Sequence, residues 1–149
     1  HANFISFSAK TSAELKVHFV QLVVDCSKTY PVTMEEMAAL RSRKPPNSTN
    51  SKCLLACCYK KLEMIDDKGM FNINNSNEFA EKEIEEAKVE KAKKMFELCS
   101  NVNDATVSDG SKGCERAALL YNCFIENAEK VHMLILFHLF KYYLVYITV

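Results

Sequence analysis

The 149-residue chain has only three glycines and three prolines, and its 19 basic residues are balanced by 19 acidic ones. So few turn residues point away from a loop-rich chain and toward helices. Zero net charge removes any global field that would steer the protein toward nucleic acid or an anionic membrane. No basic cluster interleaved with aromatics takes its place. The opening residues, HANFISFSAK, lack an initiator Met and the basic, apolar and small-residue regions of a leader peptide. A chain starting at His1 reads as a mature product whose leader has been removed. Two sequons, Asn47-Ser48-Thr49 and Asn74-Asn75-Ser76, suit a secreted chain, although such triplets are common by chance. Repeats and low-complexity tracts are absent. What is present is apolar material, 48% of the residues, enough for one domain with a sizeable core.

Periodicity places the helices. In residues 13–26, Leu15, Phe19, Leu22 and Cys26 fall on one stripe at spacings of four, three and four, widened by Val20, Val23 and Val24. Tyr30-Pro31 ends that segment. Thr33 and Glu36 make a capping box for a short helix from about Met34 to Leu40. RSRKPPNSTN is a loop. A third helix is expected over about Ser51 to Met64, closed by the turn Asp66-Asp67-Lys68-Gly69. That turn lacks the alternating oxygen ligands and distal Glu of a calcium loop. Residues 77–99 are strongly helical, with Glu78/Lys82 and Glu90/Lys94 as i,i+4 pairs. The apolar stripe changes face, from Ala80, Ile84 and Ala87 to Val89, Ala92, Phe96 and Cys99. A break between Ala87 and Glu90 follows. Asn101 to Gly113 is a loop. The last regular helix, GCERAALLYNCFIENAEK, is apolar on most sides and therefore central.

Seven cysteines remain, at 26, 53, 57, 58, 99, 114 and 123. Zinc would want paired Cys or His at short spacing in two places, and only Cys53, Cys57 and Cys58 cluster. No local signature marks a catalytic thiol. The adjacent Cys57-Cys58 resembles secreted phospholipases A2, but Lys61 and Leu62 stand where that enzyme has His-Asp, which excludes it. A disulfide frame fits better. Cys53 and Cys57, four apart, face one way along a helix and are too distant to bond each other, so each reaches a different neighbour. Cys114 and Cys123, nine apart, lie on opposite faces and also need two partners. Six bonded cysteines still allow 15 connectivities.

The spacing Cys26-x26-Cys53-x3-Cys57-x41-Cys99-x14-Cys114-x8-Cys123 is similar to the six-cysteine signature of insect odorant-binding proteins, the pheromone- and general-odorant-binding family. The x3 and x8 gaps are that family's most fixed features. The words LEMIDDKGMFN, KAKKMFELCSNV and GCERAALLYNCFIENAEK match as well, so the resemblance covers about residues 13–131. It implies an all-α, compact bundle of about six helices around an apolar cavity. It also implies the pairing Cys26–Cys57, Cys53–Cys114 and Cys99–Cys123. Cys58 is then the free thiol, acting as a small buried apolar residue; an intermolecular disulfide is the alternative.

A ligand cavity needs apolar walls and one or two orienting polar groups. Candidate walls are Phe19 and Val23 from the first helix, Leu62 and Met64 near the end of the third, and Phe79 and Ile84 from the fourth. Met95 follows from the fifth, with Ala118, Tyr121 and Phe124 from the last. Plain core packing is the alternative for each. Residues 1–130 form the domain, and the apolar tail 131–149 packs on or into it. Near a membrane span in length, the tail nevertheless carries Lys141, two His and three Tyr and has no basic flank. In it Leu134, Phe137 and Phe140, with Tyr142, Tyr143 and Tyr146, can form a lid or fill the pocket. His132 and His138 would then couple it to pH.

The resulting expectation is a secreted carrier in a fluid such as sensillar lymph, with no enzymatic activity, cofactor, metal or nucleic acid. Its partner is a small hydrophobic ligand such as an odorant, pheromone or fatty acid, met at its polar end by Tyr121 or a tail tyrosine. A sensory-neuron membrane receptor and a homodimer are further partners the resemblance leaves open. Two alternatives stand beside it: a lipid or amine scavenger of the same fold, and a membrane-associated or oligomeric protein using the tail as anchor.

Overall fold

The computed structural model describes residues 12–128 and Lys130. Six α-helices lie among them: α1 Ser12–Thr29, α2 Met34–Arg41, α3 Thr49–Lys61, α4 Ile73–Glu83, α5 Glu86–Leu98 and α6 Cys114–Asn127. Two 3-10 turns, Ser100–Asp104 and Gly110–Lys112, fill the connection before α6. The only extended pairing among the described residues is an antiparallel bridge between Ile65 and Phe71.

The stripe expected on α1 is the buried one: Leu15, Phe19, Leu22, Val23 and Cys26 all face the core, while Val17 is exposed. The capping box of α2 is present, with the Glu36 amide donating to Thr33 Oγ1 at 3.1 Å and the Thr33 amide donating to Glu36 Oε2 at 3.0 Å. At the start of α3 the Ser51 amide donates to Ser48 Oγ at 3.0 Å. The Glu78–Lys82 ion pair forms on α4, at 3.8 Å.

Three boundaries differ from expectation, each for a local reason. α3 stops at Lys61 rather than Met64, so Leu62 caps it and Met64 lies beyond it. Glu63 takes φ 61°, and the Met64 amide then reaches back to the Tyr59 carbonyl at 2.9 Å, a Schellman-type closure. α4 starts at Ile73 rather than Asn77, because Asn72 Oδ1 accepts from the Asn75 amide at 2.9 Å and caps the helix there. The break falls at Ile84–Glu85, ahead of the expected Ala87–Glu90. Ile84 leaves the helix with φ −99° and ψ 145° while its side chain stays buried. Turning there lets Ala80 and Ile84, then Ala92 and Phe96, all face one core, which an unbroken helix would not allow.

Gly69, in the turn after α3, has φ 76°, and a Cβ there would lie 2.9 Å from the Ser111 carbonyl oxygen. Only glycine suits both the backbone and the close approach. Asp66 Oδ1 ties the same turn, accepting from the Lys68 and Met70 amides.

The frame is covalent. Cys26–Cys57 joins α1 to α3, Cys53–Cys114 joins α3 to α6, and Cys99–Cys123 joins the end of α5 to α6. This is the pairing the resemblance implies. Cys58 is the free cysteine and is buried. The spans interleave, with Cys53 inside the first and Cys99 inside the second. α3 packs chiefly against α6 and α1, and α4 against α5. No helix among the described residues is long and apolar enough to cross a membrane.

Candidate ligand-binding site

The candidate wall residues divide into two neighbourhoods. Phe19 of α1 and Phe79 of α4 meet edge to face, with centroids 6.2 Å apart and planes at 70°. Phe79 and the half-buried Leu62 also line a recess of about 190 Å³, rimmed by His18, Lys61, Glu78 and Lys82. That is below the ~300 Å³ at which ligand pockets usually begin. Its lining is mainly polar and charged, with Leu62 and Phe79 its apolar part.

Phe124 sits elsewhere, in a cluster of rings. Its centroid is 6.2 Å from Tyr59, 6.4 Å from Phe71 and 6.1 Å from Phe96. Met95 is buried beside the Cys99 sulfur at 4.0 Å. Val23, Met64, Ile84 and Ala118 are likewise buried. Leu134, Phe137 and Phe140, with His132, His138 and the tail tyrosines, lie outside the described residues.

Tyr121 is 2% exposed, and its hydroxyl donates to the Leu40 carbonyl at 2.6 Å. The expected polar contact for a ligand thus already serves to fasten α6 to the end of α2. Burial holds its phenol well above the usual tyrosine range, with the Arg43 charge pulling the other way. Burial likewise raises the Tyr59 phenol and pushes the Cys58 thiol up to about 12. All three groups are neutral near pH 7.

Sequence reasoning missed two residues that shape this interior. Arg116 is 5% exposed; its Nη1 donates to the Val102 and Ala105 carbonyls, and its Nε to the Gly69 carbonyl at 3.4 Å. Nothing in the sequence marks a buried guanidinium with carbonyl partners. Tyr59 packs inside the core at 8% exposed. A clue was available, since it follows Cys57-Cys58 in an apolar run.

Known proteins resemble this chain in sequence or in fold. General odorant-binding protein 19d of Drosophila melanogaster is 35% identical over 66 residues, spanning 44% of this chain and 44% of that protein. The match therefore covers less than half of the curated relative. The structure of odorant-binding protein dmelOBP28a from Drosophila melanogaster superposes with a TM-score of 0.65 at 22% identity, covering 83% of this chain and 99% of that one. The Locusta migratoria protein lmigOBP1 superposes with a TM-score of 0.68 at 13% identity, covering 92% and 95%. These two likenesses establish a fold. Residues 8–127 match the model of the PBP/GOBP family, and on that extent the chain belongs to it, a family of non-enzymatic binders of small hydrophobic molecules.

Proposed function

We propose that this protein is a secreted carrier that encloses one small hydrophobic molecule, of the odorant, pheromone or fatty-acid kind, between α1, α3, α4 and α6. It transports that molecule through an aqueous extracellular fluid such as sensillar lymph, and a sensory-neuron membrane receptor is the natural destination. Residues 1–130 form the binding domain in this reading, and the tail packs on or into it. The observation that carries the reading is the disulfide frame around the helices that bear Phe19, Val23, Ala118 and Tyr121. An empty pocket of ~300 Å³ costs on the order of 7 kcal/mol. Three disulfides stabilise by roughly 2–4 kcal/mol each, so a stapled bundle can hold a void that an unstapled one would close. Such bonds also persist in extracellular fluids rather than in a reducing cytosol.

Displacement of a fluorescent naphthylamine probe from the full chain tests this. Probe binding reversed by a long-chain alcohol or fatty acid is the expected result, and no binding by the folded, oxidised chain overturns it. The same titration on a chain ending at Lys130 reports the tail: tighter binding there makes residues 131–149 an internal plug.

A further inference from the structure

The two sequons play no part in ligand binding, and the fold treats them differently. Asn47-Ser48-Thr49 lies between α2 and α3. Pro45-Pro46 keeps the chain out of a helix there. α3 begins only at Thr49, after the extended N-cap Ser48 at φ −96° and ψ 155°. Residues on either side of an extended one share a side of the chain, and Asn47 and Thr49 are both exposed. Asn74-Asn75-Ser76 is the opposite case. It sits in the first turns of α4, where residues two apart point about 200° from each other. Asn74 is exposed, but Ser76 is 0% exposed and its hydroxyl donates to the Asn72 carbonyl at 2.7 Å.

We propose that Asn47 is a site of N-linked glycosylation and that Asn74 is not. The donor is a lipid-diphosphate-linked oligosaccharide of the secretory compartment. Asn47 Nδ2 bonds to the anomeric carbon of the first sugar while the bond from that carbon to the diphosphate oxygen breaks. The amide gives up one proton, and the lipid diphosphate leaves with the bonding electrons. A transferase must hold the acceptor carboxamide and the hydroxyl two residues on at the same time, so both have to reach solvent. Asn47 and Thr49 meet that condition in the finished fold, whereas closing α4 withdraws the Ser76 hydroxyl. The placement also spares the recess beside Lys61 and Leu62. Asn47 stands at the other end of α3, about 18 Å away along the helix, so a bulky hydrophilic chain there leaves the recess uncovered. This assignment rests on the secreted reading and adds a covalent modification to it.

The test is intact mass and peptide mapping of the full chain, secreted by cultured insect cells behind a removable leader, beside Asn47→Gln, Thr49→Ala and Asn74→Gln. All three substituted residues are exposed, so the variants should fold as wild type does. The expected result is a single glycan on wild type and on Asn74→Gln, mapped to Asn47, and none on Asn47→Gln or Thr49→Ala. Thr49→Ala keeps the acceptor amide and removes only the hydroxyl, so its loss of the glycan ties the modification to the sequon. Secreted, oxidised wild type without a glycan, or a glycan on Asn74, overturns the assignment. The probe titration on the same material then reads the carrier function independently. A chain that does not reach the medium in oxidised form overturns the secreted reading, and this one with it.

Discussion

Phe19 on α1 and Phe79 on α4 join two helices that no disulfide links, through rings 6.2 Å apart in an edge-to-face contact. Either ring changed to Ala should weaken the probe about 3- to 10-fold and lower stability by roughly 2–4 kcal/mol. The double variant should lose less than the sum, because the rings couple by about 0.5–1.5 kcal/mol. Urea unfolding of the four proteins checks this, and strict additivity would refute the coupling.

Tyr121→Phe removes a buried hydrogen bond to the Leu40 carbonyl, which still accepts from the Arg43 amide at 3.1 Å. A loss of about 1 kcal/mol is expected, seen as a melting temperature lower by about 2–4 °C.

Cys58 should be silent toward a thiol reagent at pH 8 in the native protein and titrate as one thiol after unfolding. Its folded pKa, raised by burial from about 9 to about 12, sets the sign of a pH effect. The folded chain holds this proton more tightly than the unfolded chain. The stabilisation is therefore complete below pH ~9 and is lost as pH rises toward 12, at up to ~1.4 kcal/mol per pH unit. Between pH 9 and 10, wild type should lose stability more steeply than Cys58→Ala. Parallel curves would show that the thiol is not shielded.

Arg116→Met should cost about 2–4 kcal/mol, because the Val102, Ala105 and Gly69 carbonyls lose a donor together. Arg116→Lys should recover little, since a single ammonium does not reproduce the planar fork. A lower urea midpoint at unchanged slope is the expected signature.

Much of the frame was legible because it rests on period and spacing. The α1 stripe, the α2 capping box and the faces of Cys53 and Cys57 all follow from residue intervals. The end of α3 was not legible, since Glu63 rather than glycine occupies the left-handed position there. The α4–α5 corner fell earlier than the stripe suggested, because tertiary burial of Ile84 decides where the chain turns. Long-range polar contacts are the least readable of all. Tyr121 reaches Leu40 across 81 residues and Arg116 reaches Gly69 across 47, and no local pattern encodes either partner. Of the wall candidates, burial was foreseeable; which of them stand together was not.

The interleaving of the three bonds has a consequence for a protein that travels among proteases. Cys26–Cys57, Cys53–Cys114 and Cys99–Cys123 overlap end to end, so every peptide bond between Cys26 and Cys123 lies inside at least one closed loop. One cut anywhere in that stretch, even in the exposed turns near Asp67 or Ser108, leaves both fragments covalently joined. The nicked chain keeps its intact mass plus one water until it is reduced. Damage that would dismember an unbridged bundle leaves this one a single molecule, with its helices still held beside one another.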